Sequence, residues 1–171
     1  MHRRSTPRSF CPAESGHLLL WAAYGVRGTL RSSAAFAACV EHATVSSVFA
    51  PPIEVLLVDD QRAILSGVTA LIESEAPHMR VAGHARCGRQ ALELARSARP
   101  HVIVLDVDLG GEDGLDLIPL LLGCCSAAIV VFTCLAEPCV RLRALRLGAA
   151  GFVAKTAPGE ELIAAIRGAT G

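Results

Sequence analysis

The chain has 171 residues, 52% of them hydrophobic, which suits one core of ordinary size and excludes two full domains. Its 16 basic and 16 acidic side chains balance, so no overall positive charge attracts nucleic acid or an anionic membrane. The apolar run at residues 18–26 is too short to cross a bilayer, and the seven cysteines lack the spacing of a zinc site. These features predict a cytoplasmic protein that neither enters a membrane nor binds nucleic acid directly.

Residues 1–52 differ in composition from the rest of the chain. They are rich in Arg, Ser and Ala, contain only two acidic residues, Glu14 and Glu41, and end in Pro51-Pro52. No sustained hydrophobic period marks a helix or a strand there. Two interpretations remain open, an unstructured N-terminal extension and a wrongly assigned start codon, and residues 53–171 are predicted to form the single folded domain.

From residue 53 onward, short apolar runs alternate with helical patterns. In the first helical segment, apolar residues recur at positions 64, 65, 68, 71 and 72, which lie on one helix face. Such alternation predicts an α/β domain whose parallel sheet is covered on both faces. Strands are predicted at 53–58, 81–85, 101–106, 127–133 and 150–155, and helices near 64–72, 88–98, from 114, at 137–147 and at 158–168.

Polar residues follow these strands where each strand ends. Asp59 and Asp60 come after the first strand, and Asp106 ends the third. Thr133 ends the fourth strand, and Lys155, the only lysine in the chain, ends the fifth. Ligands of open parallel sheets bind at this edge, and with the strand order 2-1-3-4-5 the binding crevice lies between strands 1 and 3. The three carboxylates are therefore expected to lie close together.

Three carboxylates at close range repel one another unless a cation neutralises them. Mg²⁺ suits this arrangement because it accepts carboxylate oxygens and still leaves positions for phosphate oxygens. A carboxylate held there can act as a nucleophile toward phosphorus. In that chemistry, Thr133 could donate a hydrogen bond to the phosphoryl group and Lys155 could neutralise its charge.

The segments VLLVDD, VIVLDVDLGGEDG, VVFT and GFVAK, in this order and spacing, resemble response-regulator receiver domains. The resemblance implies a flavodoxin-like, doubly wound, five-stranded parallel sheet of order 2-1-3-4-5 with five helices. It implies that Asp106 accepts a phosphoryl group from a sensor histidine kinase or a phosphotransfer protein. Asp59, Asp60, Asp106 and the backbone carbonyl of Asp108 would hold Mg²⁺. The domain would act in a phosphorelay and not as an enzyme.

The same resemblance assigns the phosphate-contacting and switch residues. Thr133 and Lys155 would contact the phosphoryl group, and Phe152 matches the aromatic residue that turns inward when the threonine moves. This movement would change the face made by helix 4, strand 5 and helix 5. Dimerisation through that face is implied by the resemblance alone.

Two positions depart from the pattern of many receivers, which have proline four residues after the phosphoacceptor and directly after the lysine. Here those positions are Gly110 and Thr156. Because glycine accepts backbone angles that other residues avoid, the pair Gly110-Gly111 is expected to loosen the loop. A residue other than proline after the lysine, as in GFVAKTAPGEEL, resembles the subfamily with a LuxR-type helix-turn-helix output domain.

Two alternative functions are considered beside that of a stand-alone receiver. A DNA-binding output domain needs roughly 60 further residues, so the chain is either a stand-alone receiver or the N-terminal fragment of a transcriptional response regulator. The sequence Asp106-Val107-Asp108 also resembles the D-x-D motif of haloacid-dehalogenase-type phosphatases. That family places its motif after the first strand and needs a later acidic pair, which the sequence lacks.

Overall fold

A computed structural model describes residues 51–171, in which five strands and five α-helices alternate along the chain. The strands are β1 (Ile53–Val58), β2 (Met79–Ala85), β3 (Val102–Leu105), β4 (Ala128–Thr133) and β5 (Gly151–Ala154). The helices are α1 (Arg62–Glu73), α2 (Gly88–Ala98), α3 (Leu117–Cys124), α4 (Pro138–Arg146) and α5 (Gly159–Gly168), with a 3₁₀ turn at Gly114–Asp116 before α3. The predictions for residues 1–50 lie outside the described part of the chain.

All strand pairs are parallel, and the sheet order is β2-β1-β3-β4-β5, which confirms the predicted doubly wound fold. The last residues of the two central strands, Val58 and Leu105, are register partners. The residues that follow them, Asp59 and Asp106, therefore leave the sheet side by side. No helix between residues 51 and 171 combines the length and the apolar character that a membrane crossing requires.

The strands are buried on both faces because alternate residues enter two separate apolar cores. On one face, Leu57 and Val104 pack with the apolar residues of α1 and α5. On the other, Leu56 and Ile103 pack with those of α2, α3 and α4. Burial of one such aliphatic side chain is worth about 1.5–3 kcal/mol, so the two cores fix the directions in which the strand ends point.

The loop between β3 and the 3₁₀ turn is a tight hairpin, which corrects the expectation that its glycine pair would loosen it. Gly110 and Gly111 have positive φ values of 68° and 106°. A two-residue hairpin turn whose central residues both have positive φ favours glycine at these positions. The backbone N–H of Leu109 donates to the carbonyl of Glu112 at 3.1 Å, and residues 108 and 113 form an antiparallel bridge. The glycines are thus what allows the loop to be tight.

Candidate functional site

Three carboxylates meet at the carboxyl end of the sheet, as the strand-end pattern predicts. Asp59, Asp60 and Asp106 each place one carboxylate oxygen within 4.8 Å of the other two. Asp59 and Asp106 are only 4% and 3% exposed, and Thr133 beside them is 1% exposed. Asp60 is partly exposed, so the cluster has one side open to solvent. A small ligand can therefore reach it.

Lys155 joins two of these carboxylates. Its Nζ lies 2.6 Å from Asp59 Oδ2 and 2.6 Å from Asp106 Oδ2, and its side chain is 5% exposed. The backbone N–H of Lys155 donates to the carbonyl of Thr133 at 2.8 Å, which fixes the start of the side chain next to β4. With all four groups ionised, three negative charges face one positive charge. The site keeps a net charge of about −2, which favours a cation.

The pKa values of Asp59 and Lys155 are set by burial and by the hydrogen bonds between charged groups. Burial raises the pKa of the Asp59 carboxyl, and hydrogen bonds from Lys155 and from the Gln61 backbone only partly oppose it. Burial alone would lower the pKa of the Lys155 ammonium, but its hydrogen bonds to Asp106 and Asp59 raise that pKa above its usual value. The lysine therefore stays charged, while Asp59 is the acid whose ionisation costs free energy.

Backbone groups hold the carboxylates in place. The N–H of Gln61 donates to Asp59 Oδ1 at 2.8 Å, and the N–H of Val107 donates to Asp106 Oδ1 at 2.7 Å. The guanidinium of Arg86 donates to the carbonyl of Asp60 from Nε at 3.1 Å and from Nη2 at 3.0 Å. The two N–H bonds orient the carboxylates of Asp59 and Asp106, and the Arg86 side chain fixes the backbone of Asp60, so the cluster is preorganised before any ligand binds.

The remaining predicted residues surround this cluster. Thr133 Oγ1 accepts a hydrogen bond from the N–H of Leu135 at 3.2 Å. Phe152 is half-buried against the core shared with α4, and the guanidinium carbon of Arg141 lies 5.9 Å from its ring centroid. The side chain of Asp108 is exposed at the base of the glycine hairpin. Six of the seven predicted residues thus lie at the carboxyl edge of the sheet, whereas Phe152 lies near the start of β5, where its register partner is Val131 of β4.

Two further residues support the loop, and sequence reasoning missed both. Glu112 Oε2 accepts a hydrogen bond from the N–H of Gly88 at 2.9 Å, so the hairpin is fastened to the first residue of α2. A Cβ atom on Gly114 would lie 1.9 Å from the carbonyl oxygen of Asp106, so only glycine fits behind that residue. The nearest signal in the sequence is the string GGEDG, which does not say which glycine faces the aspartate.

A third missed residue, Arg143 of α4, bridges to the same region. It lies 2.6 Å from an oxygen of Asp113 and 2.7 Å from an oxygen of Asp116. Beside this bridge, an open groove of about 500 Å³ runs between the hairpin and α4, with Val107 and Leu135 among its lining residues. Among residues 51–171, these two ion pairs are the side-chain polar contacts that join α4 to the segment after the hairpin.

The donor set fits Mg²⁺. Three carboxylates lie together, and the backbone carbonyl of residue 108 follows two residues after Asp106 in the adjoining loop. Hard divalent cations prefer such oxygen ligands, and Mg²⁺ usually takes one or two carboxylates while it keeps several waters. The site is also buried and carries a net negative charge, so a bound cation would relieve the repulsion among the carboxylates.

A doubly wound sheet with an acidic cluster and a lysine at its switch point defines a class of α/β signalling domains. Residues 55–167 match the family model described as "Response regulator receiver domain", and the chain belongs to this family. Phosphorylation on aspartate is the general function of the family. The match places the chain with the receivers and not with the haloacid-dehalogenase-type phosphatases.

Relatives and solved structures agree with this assignment. The chain is 36% identical over 116 residues to the response regulator GacA of Pseudomonas aeruginosa, which covers 67% of this chain and 54% of GacA. It is 36% identical over 113 residues to a protein-glutamate methylesterase/protein-glutamine glutaminase of Moorella thermoacetica, which covers 65% of this chain and 26% of that protein. A LuxR-family two-component response regulator from an Aurantimonas species has a similar structure, with a TM-score of 0.63, 30% identity and coverage of 68% of this chain and 83% of that one.

The chain therefore spans about half of GacA and about a quarter of the methylesterase. The structural similarity to a LuxR-family regulator confirms the predicted likeness to that subfamily. Receiver domains are in general not enzymes, although the Moorella relative carries the name of one. Members of the family interact in general with histidine kinases or phosphotransfer proteins.

Proposed function

We propose that this chain accepts a phosphoryl group on Asp106 from a sensor histidine kinase or a phosphotransfer protein in a phosphorelay. One observation carries the assignment: Lys155 Nζ lies 2.6 Å from Asp106 Oδ2 and 2.6 Å from Asp59 Oδ2 within a cluster of three carboxylates. This arrangement provides a nucleophile, a positive charge for the incoming phosphoryl oxygens and a cation site in one place.

Asp59, Asp60, Asp106 and the backbone carbonyl of Asp108 would hold Mg²⁺ in this proposal. When bound, the ion would neutralise charge on the phosphoryl oxygens. Asp106 is the proposed nucleophile because it follows β3 at the phosphoacceptor position of the receiver pattern, and the Val107 N–H and Lys155 orient its carboxylate. Asp59 is engaged by Lys155 and by the Gln61 N–H, and its role is to hold the cation site together.

Lys155 and Thr133 would bind the new phosphoryl group on Asp106. The ammonium already contacts Asp106 and stays charged at neutral pH, since its pKa is raised. Thr133 is buried, and its hydroxyl at present only accepts a hydrogen bond from the N–H of Leu135. The hydroxyl proton is therefore available to be donated to a phosphoryl oxygen after a small rotation of the side chain.

The output of this change would be the face formed by α4, β5 and α5. Phe152 lies on β5, half-buried and in contact with Arg141 of α4, so its rotation would alter how α4 packs. We further propose that this face supports a homodimer. The domain would act in the cytoplasm as a stoichiometric phosphoacceptor and would not turn over a phosphomonoester substrate.

The relatives suggest the role of a longer protein. A LuxR-family regulator shares this fold at 30% identity, and the chain spans about half of GacA, so a transcriptional output outside the receiver is the proposed context. Translating the DNA downstream of this coding sequence in all three frames tests it. A helix-turn-helix domain there would support the proposal, and its absence would favour a stand-alone receiver.

Intact-mass spectrometry with Mg²⁺ and acetyl phosphate or phosphoramidate tests the phosphoacceptor proposal. The parent chain should gain the mass of one phosphoryl group, and the matched variant Asp106→Asn should gain none. The adduct should disappear when EDTA replaces Mg²⁺. A parent chain that gains no mass and also fails to bind beryllofluoride would overturn the proposal, and an adduct retained by Asp106→Asn would show that another residue is the acceptor.

A further inference from the structure

We propose that Cys124 and Cys125, together with Arg96 and Arg99, form a binding site for trivalent arsenic hydroxides such as arsenite, at the opposite end of the sheet from the aspartates. The site lies where α2 and α3 end and β3 and β4 begin. It shares no residue with the acidic cluster, so it is independent of the phosphoacceptor proposal.

A cavity of about 350 Å³ brings these four residues together. Both cysteines and both arginines line it, with Ser126 completing its polar wall. Cys124 and Cys125 are half-buried and carry free thiols. The cavity therefore offers two soft sulfur ligands and two hydrogen-bond donors to a small molecule.

The two thiols belong to adjacent residues at the end of α3. Cys125 Sγ donates a hydrogen bond to the carbonyl of Leu121 at 3.3 Å, and both thiols line the same cavity. Burial raises the pKa of the Cys124 thiol, and the positive charge of Arg96 opposes this increase only in part. Protonated thiols attack disulfides poorly, since the thiolate is the nucleophile. A ligand that takes up both thiol protons as it binds suits this pair better than an oxidant does.

The guanidinium groups of Arg96 and Arg99 make no side-chain hydrogen bond or ion pair with any of residues 51–171. Arg99 has a φ of 47°, in the left-handed region. Glycine or asparagine usually occupies such a position after a helix, and a strained residue suggests a functional constraint. Two unpaired positive charges disfavour a metal cation here and favour a neutral ligand that carries hydroxyl groups.

Arsenite meets these conditions because it is uncharged at neutral pH, binds thiols and carries three hydroxyl groups. Two As–S bonds form and two As–O bonds break, and each thiol proton leaves with a departing hydroxyl group as water. No electrons are transferred, so no oxidant or reductant is needed. The remaining As–OH oxygen is an acceptor for a guanidinium N–H. One arsenic atom thus uses both kinds of group that line the cavity.

Titration of the full chain with sodium arsenite, followed by native mass spectrometry, tests the site. We expect one arsenic per chain in the parent and in the control Cys134→Ser/Cys139→Ser, which removes two exposed cysteines. The variant Cys124→Ser/Cys125→Ser should lose the adduct although it keeps Cys11 and Cys39. The variant Arg96→Gln/Arg99→Gln keeps both thiols and should bind arsenite at least fivefold more weakly.

Thermal melting of every variant, followed by circular dichroism, shows whether a loss of arsenite binding is caused by unfolding. An adduct retained by Cys124→Ser/Cys125→Ser would overturn the proposal. So would equal affinity in concentrated guanidinium chloride, because the folded cavity would then contribute nothing. If Cd²⁺ bound more tightly than arsenite, and more tightly still to Arg96→Gln/Arg99→Gln, the pair would be a soft-cation site and the arsenite assignment would be wrong.

Discussion

At the scale of single residues, the clustering of the aspartates could be predicted from the sequence, whereas the close approach of Gly114 to Asp106 could not. Strand-end positions in the sequence place Asp59 and Asp106 at one edge of a parallel sheet, and the structure brings them together. The need for glycine at position 114 depends on how closely the 3₁₀ turn approaches Asp106. That approach is a property of tertiary packing, and no local pattern records it.

Replacement of Asp60 by Asn should stabilise the metal-free protein. Asp60 contributes one of the three mutually repelling carboxylates and is partly exposed, so we expect a gain of about 0.5–1 kcal/mol. Urea denaturation in EDTA measures it. The same variant should show a smaller rise in melting temperature with MgCl₂ than the parent does. If Asp60→Asn destabilises the metal-free chain, repulsion is not the dominant effect at this position.

Gly114→Ala should destabilise the domain by more than about 2 kcal/mol. Its new Cβ would lie 1.9 Å from the Asp106 carbonyl oxygen, which forces the turn or the end of β3 to move. The matched control is Gly123→Ala in α3, where a Cβ has no neighbour within 4 Å and alanine should stabilise the helix by about 0.5–1 kcal/mol. Opposite signs in urea denaturation are expected, and equal effects would contradict the argument.

At the scale of elements, all five strands and five helices were predictable because the two buried faces of the sheet impose apolar runs on every strand. Most boundaries shifted by one or two residues, as at β2, which begins at Met79 rather than at residue 81. The α-helix predicted from residue 114 begins at Leu117, because a 3₁₀ turn occupies Gly114–Asp116. The prediction that Gly110 and Gly111 loosen the loop after β3 is wrong, because the positive φ values of the two glycines build a defined turn. A glycine pair alone does not reveal whether partners exist to close the turn.

Glu112 should position the hairpin through the N-terminus of α2. Glu112→Ala removes the acceptor for the Gly88 N–H, and we expect a loss of about 1 kcal/mol and a weaker affinity for Mg²⁺. Glu112→Gln keeps an acceptor oxygen and should restore most of both properties. Isothermal titration calorimetry with MgCl₂ provides the affinity. Equal Mg²⁺ affinity in parent and Glu112→Ala would mean that the hairpin does not depend on this contact.

Arg143→Gln should loosen α4 with little effect on global stability. Both of its ion pairs are exposed, so their loss should cost less than about 1 kcal/mol in urea denaturation. Hydrogen exchange in α4 should nevertheless become faster, because Ala144 is the helix's only fully buried residue. Arg146→Gln, at the end of the same helix, is the control. Unchanged exchange rates in α4 would show that apolar contacts alone hold it.

At the scale of the whole molecule, metal binding and stability are linked through the acidic cluster. A ligand that binds only the folded state stabilises it by about 2.7 kcal/mol at one hundred times its dissociation constant. MgCl₂ should therefore raise the melting temperature, and NaCl at equal ionic strength should not. Differential scanning calorimetry distinguishes the two salts, and equal effects would argue against a specific site.

The raised pKa of Asp59 sets the direction of the pH dependence. Its carboxyl binds a proton more readily in the folded chain than in the unfolded chain, so ionised Asp59 lowers the stability of the metal-free protein above its folded pKa. That cost should be relieved as pH falls through this pKa. Because the proton competes with Mg²⁺, the affinity for Mg²⁺ should weaken as pH falls, and the weakening should begin at a higher pH than for an ordinary aspartate, whose pKa is 3.8. Calorimetric titrations across the acidic range check this, and an Asp59→Asn variant should lose the effect.

The attachment of α4 has a consequence for signalling under different solution conditions. This helix is held by the buried Ala144, by the partly buried Val140 that packs against the same core, and by the bridge from Arg143 to Asp113 and Asp116. Apolar packing is insensitive to moderate salt, whereas exposed ion pairs weaken as the Debye length shrinks to about 8 Å at physiological ionic strength. The resting position of α4 should therefore depend on the ionic strength around the protein, so that phosphorylation acts on a more loosely held helix in concentrated salt than in dilute medium.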